Sequence, residues 1–358
     1  MSKRTIIIIG IIATLVGIAV ATPKIMLFLA GNKTTDNSEK QTFFITKTIS
    51  LQKLAEELKE KGIIKDMKGL ISVGDFKGLN SNNIALGKYV IEPGVSYKNL
   101  LNGFTLNSNG NGNAEVEVQV TFNNCRDIYQ MAGMVEKCIM VDSAKLVNYL
   151  TDAETLNKFG FTLEQLPALF MPNSYSMFYD TDEKQFVERM AQEFRNFWTP
   201  DRKNKLSKMG FTSPSQLATL ASIVYSEQSI HSSEWSTIAG LYLNRLKKGM
   251  LLQSDPTFKF CWEEKLNGVE RLLREHRSVD CAYNTYKVKG LPPGPICMTS
   301  EKVLDAVLNY QQHDYLFMCA KPDFSYTHNF ESSDVQHMRN ARKYQVWLAN
   351  ELKKKKNK

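Results

Sequence analysis

The sequence predicts an α+β protein in three parts: an N-terminal transmembrane helix, a small membrane-proximal β/α module, and a larger α+β domain. Three observations carry this. Thr5 to Ala21 is an unbroken apolar run, and apolar character resumes from Ile25 to Ala30, together long enough for a bilayer that needs about 20 residues. Residues 43 to 103 alternate strand-like and helix-like patterns. Beyond a Gly/Asn-rich break at 107–113, a period-2 strand leads into a series of amphipathic helices. The expected boundaries are 1–31 for a cytoplasmic stub and membrane helix, 42–106 for the small module, 114–350 for the larger domain and 351–358 for a basic tail. A chain of 358 residues with 43% hydrophobic composition can bury one sizeable core beside a smaller one.

Taken in order, Lys3 and Arg4 precede the apolar run and favour the cytoplasmic side, an asymmetry diluted by Lys24 and Lys33. Ala19-Val20-Ala21 fits a signal-peptidase site; an uncleaved anchor is preferred, because the apolar sequence continues past it. Asn32 to Gln41 reads as a polar juxtamembrane linker. Phe43 to Ile49 reads as a strand. Ser50 then caps a helix whose Leu51, Leu54, Ala55 and Leu58 form a stripe ending at Lys61-Gly62. A strand at Gly87 to Glu92, the turn Pro93-Gly94 and a helix from Ser96 to Gly103 complete a β–α–β–α outline. In the larger part, Ala114, Val116, Val118, Val120 and Phe122 alternate with polar residues, a half-buried strand. Helices are expected at Asp127 to Val135, Ser143 to Leu150 and Glu183 to Trp198, and a loop at Leu169 to Tyr175.

The net charge of +8 suits anionic partners, and Lys353 to Lys356 is the densest basic run. No zinc-finger spacing, RNA-binding aromatic signature or recognition-helix pattern accompanies it, which argues against nucleic acid. Six cysteines without any C-x-x-C spacing argue against zinc and thioredoxin-type chemistry. Pairs such as Cys125 with Cys138, or Cys261 with Cys281, and unpaired buried thiols all stay open.

The larger domain is organised around Leu217 to Thr257. Ser213 is placed to cap a helix, Pro214 suits its first position, and Gln216 has capping-box spacing. Leu217, Leu220, Ala221 and Val224 form an apolar stripe, and extending it by three residues lands on Glu227. A carboxyl on a buried face, near the negative end of the helix dipole, should titrate above the ordinary carboxylate range and donate a proton near neutral pH. The competing reading is a Glu that ends the helix in solvent or pairs with an arginine. A second helix from about Glu234 to Lys248 carries Ile238, Leu241, Tyr242 and Leu246 on one face, with Asn244 and Arg245 beside it. Gln253-Ser254-Asp255-Pro256-Thr257 then packs hydrogen-bonding side chains into one turn, suited to sugar hydroxyls or simply to a turn.

These residues carry a resemblance. The run Leu220 to Val224, with Glu227, Glu234, Asn244-Arg245-Leu246, Gly249-Met250 and Leu252 to Thr257, is similar to the core of the YceG-like family of endolytic murein transglycosylases. Tyr283-Asn284-Thr285-Tyr286 with Gly290 to Pro295 resembles a second block, and His328-Asn329-Phe330 with His337 a third. The three blocks span most of residues 170 to 345 in order. The chain departs from the family pattern at Tyr225, where a second acidic residue is usual, and at Gln228, where a Thr is usual.

The resemblance implies a fold and an activity. The small module, through Gly87-Lys88-Tyr89 and Pro93-Gly94, resembles a LysM-like subdomain associated with glycan binding; a mere spacer is the alternative. Glu227 takes the place of the catalytic acid. In this chemistry one Glu protonates the MurNAc-GlcNAc glycosidic oxygen, then accepts the muramoyl 6-hydroxyl proton as a 1,6-anhydro ring closes. Asn244, Gln253, Ser254, Asp255, Tyr283, Asn284, Tyr286 and His328 are the residues expected to hold the glycan. Glu234 is expected to be a positioning residue, pairing with Arg245. Pro292 to Pro295 is expected to shape a cleft wall, and Lys259 to Arg277 is either a solvated insert or a guide for anionic glycan. No cofactor and no metal centre are expected. The implied setting is the cell inner membrane, crossed once, with the catalytic part periplasmic or otherwise extracytoplasmic. Peptidoglycan strands are the implied substrate, and peptidoglycan synthases of the penicillin-binding class the implied partners. The rival classes are a hydrolytic muramidase that uses a second carboxylate, and a non-catalytic peptidoglycan-binding scaffold.

Overall fold

The apolar N-terminal sequence forms one helix, α1 (Lys3–Asn32), in a computed structural model that describes residues 3–262, 265 and 275–356. Within it, Gly10–Asn32 is long and apolar enough to cross a membrane. The chain divides into two compact units. The first comprises 1–120, 138–141 and 175–182; the second comprises 121–137, 142–174 and 183–358.

In the first unit, β1 (Gln41–Ile45) and β2 (Gly87–Ile91) pair antiparallel, Phe43 opposite Tyr89. Between them lie α2 (Leu51–Glu60) and α3 (Met67–Phe76), and α4 (Tyr97–Phe104) follows. Ser50 caps α2 by accepting from the Lys53 N–H, as its sequence position predicts. The order is therefore β–α–α–β–α, one helix more than the expected outline. Phe43, Leu54, Leu58, Leu70, Leu101 and Phe104 are buried in one core, against which Leu27 and Ala30 of α1 pack. Residues 33–37, expected as a linker, are knitted into this unit. The Thr35 N–H donates to Val95 O, the Asp36 N–H to Ile63 O, and the Asn37 amide to Ile91 O.

The strand β3 (Glu117–Phe122) pairs with a strand at Asn173–Phe178, and the division between the units falls within both strands. Between them run α5 (Ile128–Val135), α6 (Ser143–Thr151) and α7 (Ala153–Phe159). The expected loop at 169–175 is instead the end of a 3-10 turn, Leu166–Leu169, followed by the paired strand, β4 (Asn173–Phe178). Next come α8 (Glu183–Phe197), α9 (Pro200–Lys208) and the central α10 (Pro214–Glu227). Ser213 accepts from the Gln216 N–H, while the Gln216 side chain reaches back to the Thr212 N–H rather than to Ser213.

The sequence stripe understated α10. All residues from Leu217 to Val224 are buried, including Thr219 and Ser222 on the polar side of the stripe. A helix buried all round belongs to a core centre rather than a surface. Its polar groups are satisfied locally: Thr219 donates to Ser215 O and Ser222 to Thr219 O. Packed with α10 in the second unit are α11 (Trp235–Lys247), α12 (Asp255–Cys261) and α13 (Glu301–Leu308). The antiparallel hairpin β5 (Phe317–Ala320) and β6 (His328–Glu331) precedes α14 (Asp334–Lys356), so Lys353 and Lys354 belong to a helix. Leu220, Ile223, Ile238, Leu241 and Val307 are fully buried in this core. Truncating one such leucine to alanine costs about 2–5 kcal/mol.

Candidate active site

Glu227 is the last residue of α10 and lines a cavity of about 420 Å³ in the second unit. Two hydroxyls converge on one carboxyl oxygen. Tyr242 of α11 donates to Oε1 at 2.7 Å and Ser254 at 2.6 Å. Among the described residues Oε2 takes no hydrogen bond. Burial pushes the Glu227 carboxyl above the ordinary range, and the charge of Asp255 adds to this; the Ser254 and Tyr242 hydroxyls and His328 pull the other way without reversing it. The same burial, with Glu227 beside it, pushes the Tyr242 phenol far up, so it stays a donor. The solvent-exposed reading of Glu227 is thereby set aside.

The local sequence explains why Ser254 is there. It occupies the N-cap position of α12, yet its side chain makes no cap bond and turns to Glu227 instead. Gln253 beforehand adopts φ 54°, in the left-handed region, and Thr285 holds this turn by accepting from the Gln253 N–H with its carbonyl and from the Ser254 N–H with its hydroxyl. Ser254 is 0% exposed, and its hydroxyl is spent on the Glu227 carboxyl.

Asp255, at the start of α12, accepts from the Tyr286 hydroxyl and, at 3.2 Å, from Arg277. The Arg277 guanidinium lies over the Tyr286 ring, 5.0 Å from its centroid. Of the proposed cysteine pairings, Cys261–Cys281 forms, with Cα atoms 6.2 Å apart. It ties the end of α12 to the loop leading to Tyr286. Cys125 is a buried thiol, so the alternative bridge to Cys138 is not made. Of the basic stretch Lys259 to Arg277, Arg271 and Arg274 lie outside the described residues.

Glu234 does not pair with Arg245. It takes the His328 ring nitrogen Nδ1 at 2.8 Å, the His328 backbone N–H at 2.9 Å and the Gln228 amide at 2.8 Å. Burial pushes its carboxyl up, but these donors outweigh burial and hold it below the ordinary range. Arg245 is 7% exposed and spends its guanidinium on the carbonyls of Leu316, Leu251 and Leu252, fixing the chain before the 253–257 turn. Gln228, a departure from the family pattern, is a hub. Its amide also donates to Tyr326 O, its side-chain oxygen accepts from the Ile230 and His231 N–H groups, and its carbonyl accepts from the Trp235 indole.

The cavity thus gathers Glu227, Gln253, Asp255, Tyr286, His328 and Arg245 of the expected residues. Three others serve the scaffold. Asn244 donates to the carbonyls of His313 and Tyr315; Asn284, 0% exposed, donates to those of Arg277 and Val279; Tyr283 packs on Phe260, with ring centroids 4.6 Å apart. Pro292 to Pro295 does not line this cavity. Gly294 there packs so closely on the Glu164 carbonyl that a Cβ would not fit. Tyr242 lines the cavity without having been expected to, and Arg277, the last residue of the basic stretch, lines it as well; a tyrosine on an apolar helix face needs a partner for its hydroxyl, and that was the available signal. No cluster of three or more metal-ligating side chains occurs among the described residues.

This is a polar cavity holding a carboxyl whose burial favours its protonated form. A sequence model of the YceG-like family matches residues 43–343, and the chain belongs to that family. Its curated relatives include proteins named endolytic murein transglycosylase. That of Bacillus subtilis is 32% identical over 40% of this chain and 38% of its own length. One from Streptococcus pneumoniae is 24% identical over 79% of this chain and 55% of its own. The chain therefore spans about half, or less, of the length of these relatives. A solved structure described as a YceG-like protein of Listeria monocytogenes shares the fold, with TM-score 0.52 and 21% identity over 85% of this chain and 99% of that one.

Proposed function

We propose that this chain is a membrane-anchored endolytic murein transglycosylase, a lyase that cuts the MurNAc-GlcNAc bond within glycan strands and leaves 1,6-anhydro-MurNAc ends. The observation that carries the reading is Glu227, a cavity-lining carboxyl that burial pushes above the ordinary carboxylate range, with both hydroxyl donors on one oxygen. Protonating the glycosidic oxygen lets the C1–O bond break, and the muramoyl 6-hydroxyl closes the ring. In the single-carboxylate scheme, the ionised Glu227 then takes the 6-hydroxyl proton. The names of the relatives support the substrate class.

A hydrolase would need a second carboxylate free to activate water. Asp255 is engaged by Tyr286 and Arg277, and Glu234 by His328 and Gln228, which favours the lyase over the muramidase. On this reading α1 is a single-pass anchor in the cytoplasmic membrane, with the catalytic unit outside the cytoplasm, near the synthases that make its substrate. The LysM-like reading of residues 42–106 gives the first unit a glycan-holding role.

The test is digestion of intact sacculi by the full chain and by Glu227→Gln, with anhydro and reducing ends counted by mass spectrometry. Wild type should release anhydro ends and the variant should lose at least about 10²-fold in rate. Reducing muramic acid ends from wild type, or anhydro ends undiminished in the variant, would overturn the proposal.

A further inference from the structure

Giving both proton transfers to Glu227 leaves a second proton-handling group in the same cavity without work. His328 stands on β6 and lines the cavity with Glu227, which comes from α10. Its ring is held from several sides. Nδ1 meets Glu234 Oε2 at 2.8 Å, the residue's own N–H meets the other Glu234 oxygen at 2.9 Å, and the Phe330 ring stands edge-on with centroids 6.1 Å apart. Gln228 donates both to Glu234 and to Tyr326 O, so the same side chain fixes the carboxylate and the turn before β6.

This arrangement sets the tautomer. A carboxylate that receives three N–H donors stays ionised and can only accept. In the neutral ring the proton therefore sits on Nδ1, and Nε2 keeps its lone pair. An imidazole with one nitrogen donating to a buried carboxylate and the other unprotonated is a preoriented base, and the carboxylate stabilises the imidazolium that forms.

Resting on the transglycosylase reading, we propose that His328 is the base of the ring-closing step. Nε2 takes the proton of the muramoyl 6-hydroxyl as that oxygen bonds to C1. The bond from C1 to the glycosidic oxygen breaks, its electron pair goes to that oxygen, and Glu227 supplies the proton there. The imidazolium then carries the proton of the 6-hydroxyl while Glu227 is left ionised, and one proton passed from His328 to Glu227 through solvent resets both groups without water being consumed in the reaction. Glu234 acts through His328 and is a positioning residue. The other charged and titratable groups of the cavity are Asp255 with Arg277 and Tyr286, Arg245 and Tyr242 of α11, Cys319 of β5, and His337 of α14.

The experiment measures the initial rate of anhydro-end release by the full chain across pH, for wild type, His328→Gln, Glu234→Gln and Glu227→Gln. In wild type the rate should fall on the acid side as the base becomes protonated. His328→Gln should lose about 10²-fold or more, and its residual rate should no longer fall at low pH. Glu234→Gln keeps a carbonyl to receive Nδ1–H but removes the negative charge. A positive ring then loses its charged partner, so the acid limb of the rate should move to lower pH. An acid limb unchanged in Glu234→Gln overturns the proposal even if His328→Gln fails to fold, and so does a loss under tenfold in a folded His328→Gln. If Glu227→Gln is inactive while both other variants match wild type, only the role of His328 falls; if Glu227→Gln stays active, the transglycosylase reading falls first.

Discussion

Glu227 in the second unit and Glu115 in the first are both pushed above the ordinary carboxylate range, and in both the largest cause is burial. Their surroundings differ. Two hydroxyls donate to Glu227, which lines a cavity. Glu115, pushed up to about 7, has another acid as neighbour: the charge of Asp180 raises it further, and the Asn111 amide bridges the two at 3.2 Å to each. Glu115 also packs on Gly87, where a Cβ would have no room. The contrast teaches that an elevated carboxyl reports its surroundings, burial above all, and is not by itself the mark of a catalytic group. Donors on one side and open space on the other are what turn a retained proton into one that can be delivered.

The contrast breaks most plainly if Glu227→Gln and Glu115→Gln behave alike. The first should lose about 10²–10⁴-fold in anhydro-end release, and the second should stay near wild type. Tyr242→Phe comes next. It removes a hydroxyl that lowers the Glu227 carboxyl, so the basic limb of the rate profile should move to higher pH. The rate should drop about 10–100-fold, the range for a hydrogen bond to a charged group. A basic limb that stays put would mean that Tyr242 does not govern the acid.

Third, replacing both Cys261 and Cys281 by serine should lower stability by roughly 3 kcal/mol, as for loops of similar length. It should raise KM more than it lowers kcat, since the bridge steadies the Asp255 and Tyr286 wall rather than Glu227. The smallest effect is at Glu115. Its carboxyl binds its proton more tightly folded than unfolded, so native stability is highest below about pH 4.5 as far as this group goes and is lost as pH rises toward about 7. Glu115→Gln should therefore flatten that slope and stabilise the chain at neutral pH by about 1–2 kcal/mol after solvent screening, read from urea midpoints. An unchanged slope would show that the carboxyl pair does not hold the proton.

How far the sequence reached depended on whether a feature was local. The cap at Ser213, the helix to Glu227 and the strand expected from Ala114 to Phe122 follow from periodicity and neighbouring side chains, and all are present, the strand beginning three residues later at Glu117. The helix α3 was not legible because Gly69 and Gly74 weaken its pattern, and Gly74 is needed only because the Leu51 methyls of α2 press against it. The strand β4 hides behind Pro172 in a short, half-polar run whose partner is more than fifty residues away. Within the site, Glu227 was legible from its place on a stripe. The duties of Ser254, Asn244 and Asn284 were not, because each is decided by backbone carbonyls or a carboxyl brought from another segment.

The continuity of α1 with the first unit has a mechanical consequence. Leu27 and Ala30 pack into its core, and Lys33 at the helix end pairs with Asp66 at 2.5 Å. If the preceding turns lie in a bilayer, there is no slack tether between lipid and protein. The first unit would then ride on its anchor as a fixed collar, at a height and tilt set by the helix rather than by a flexible leash.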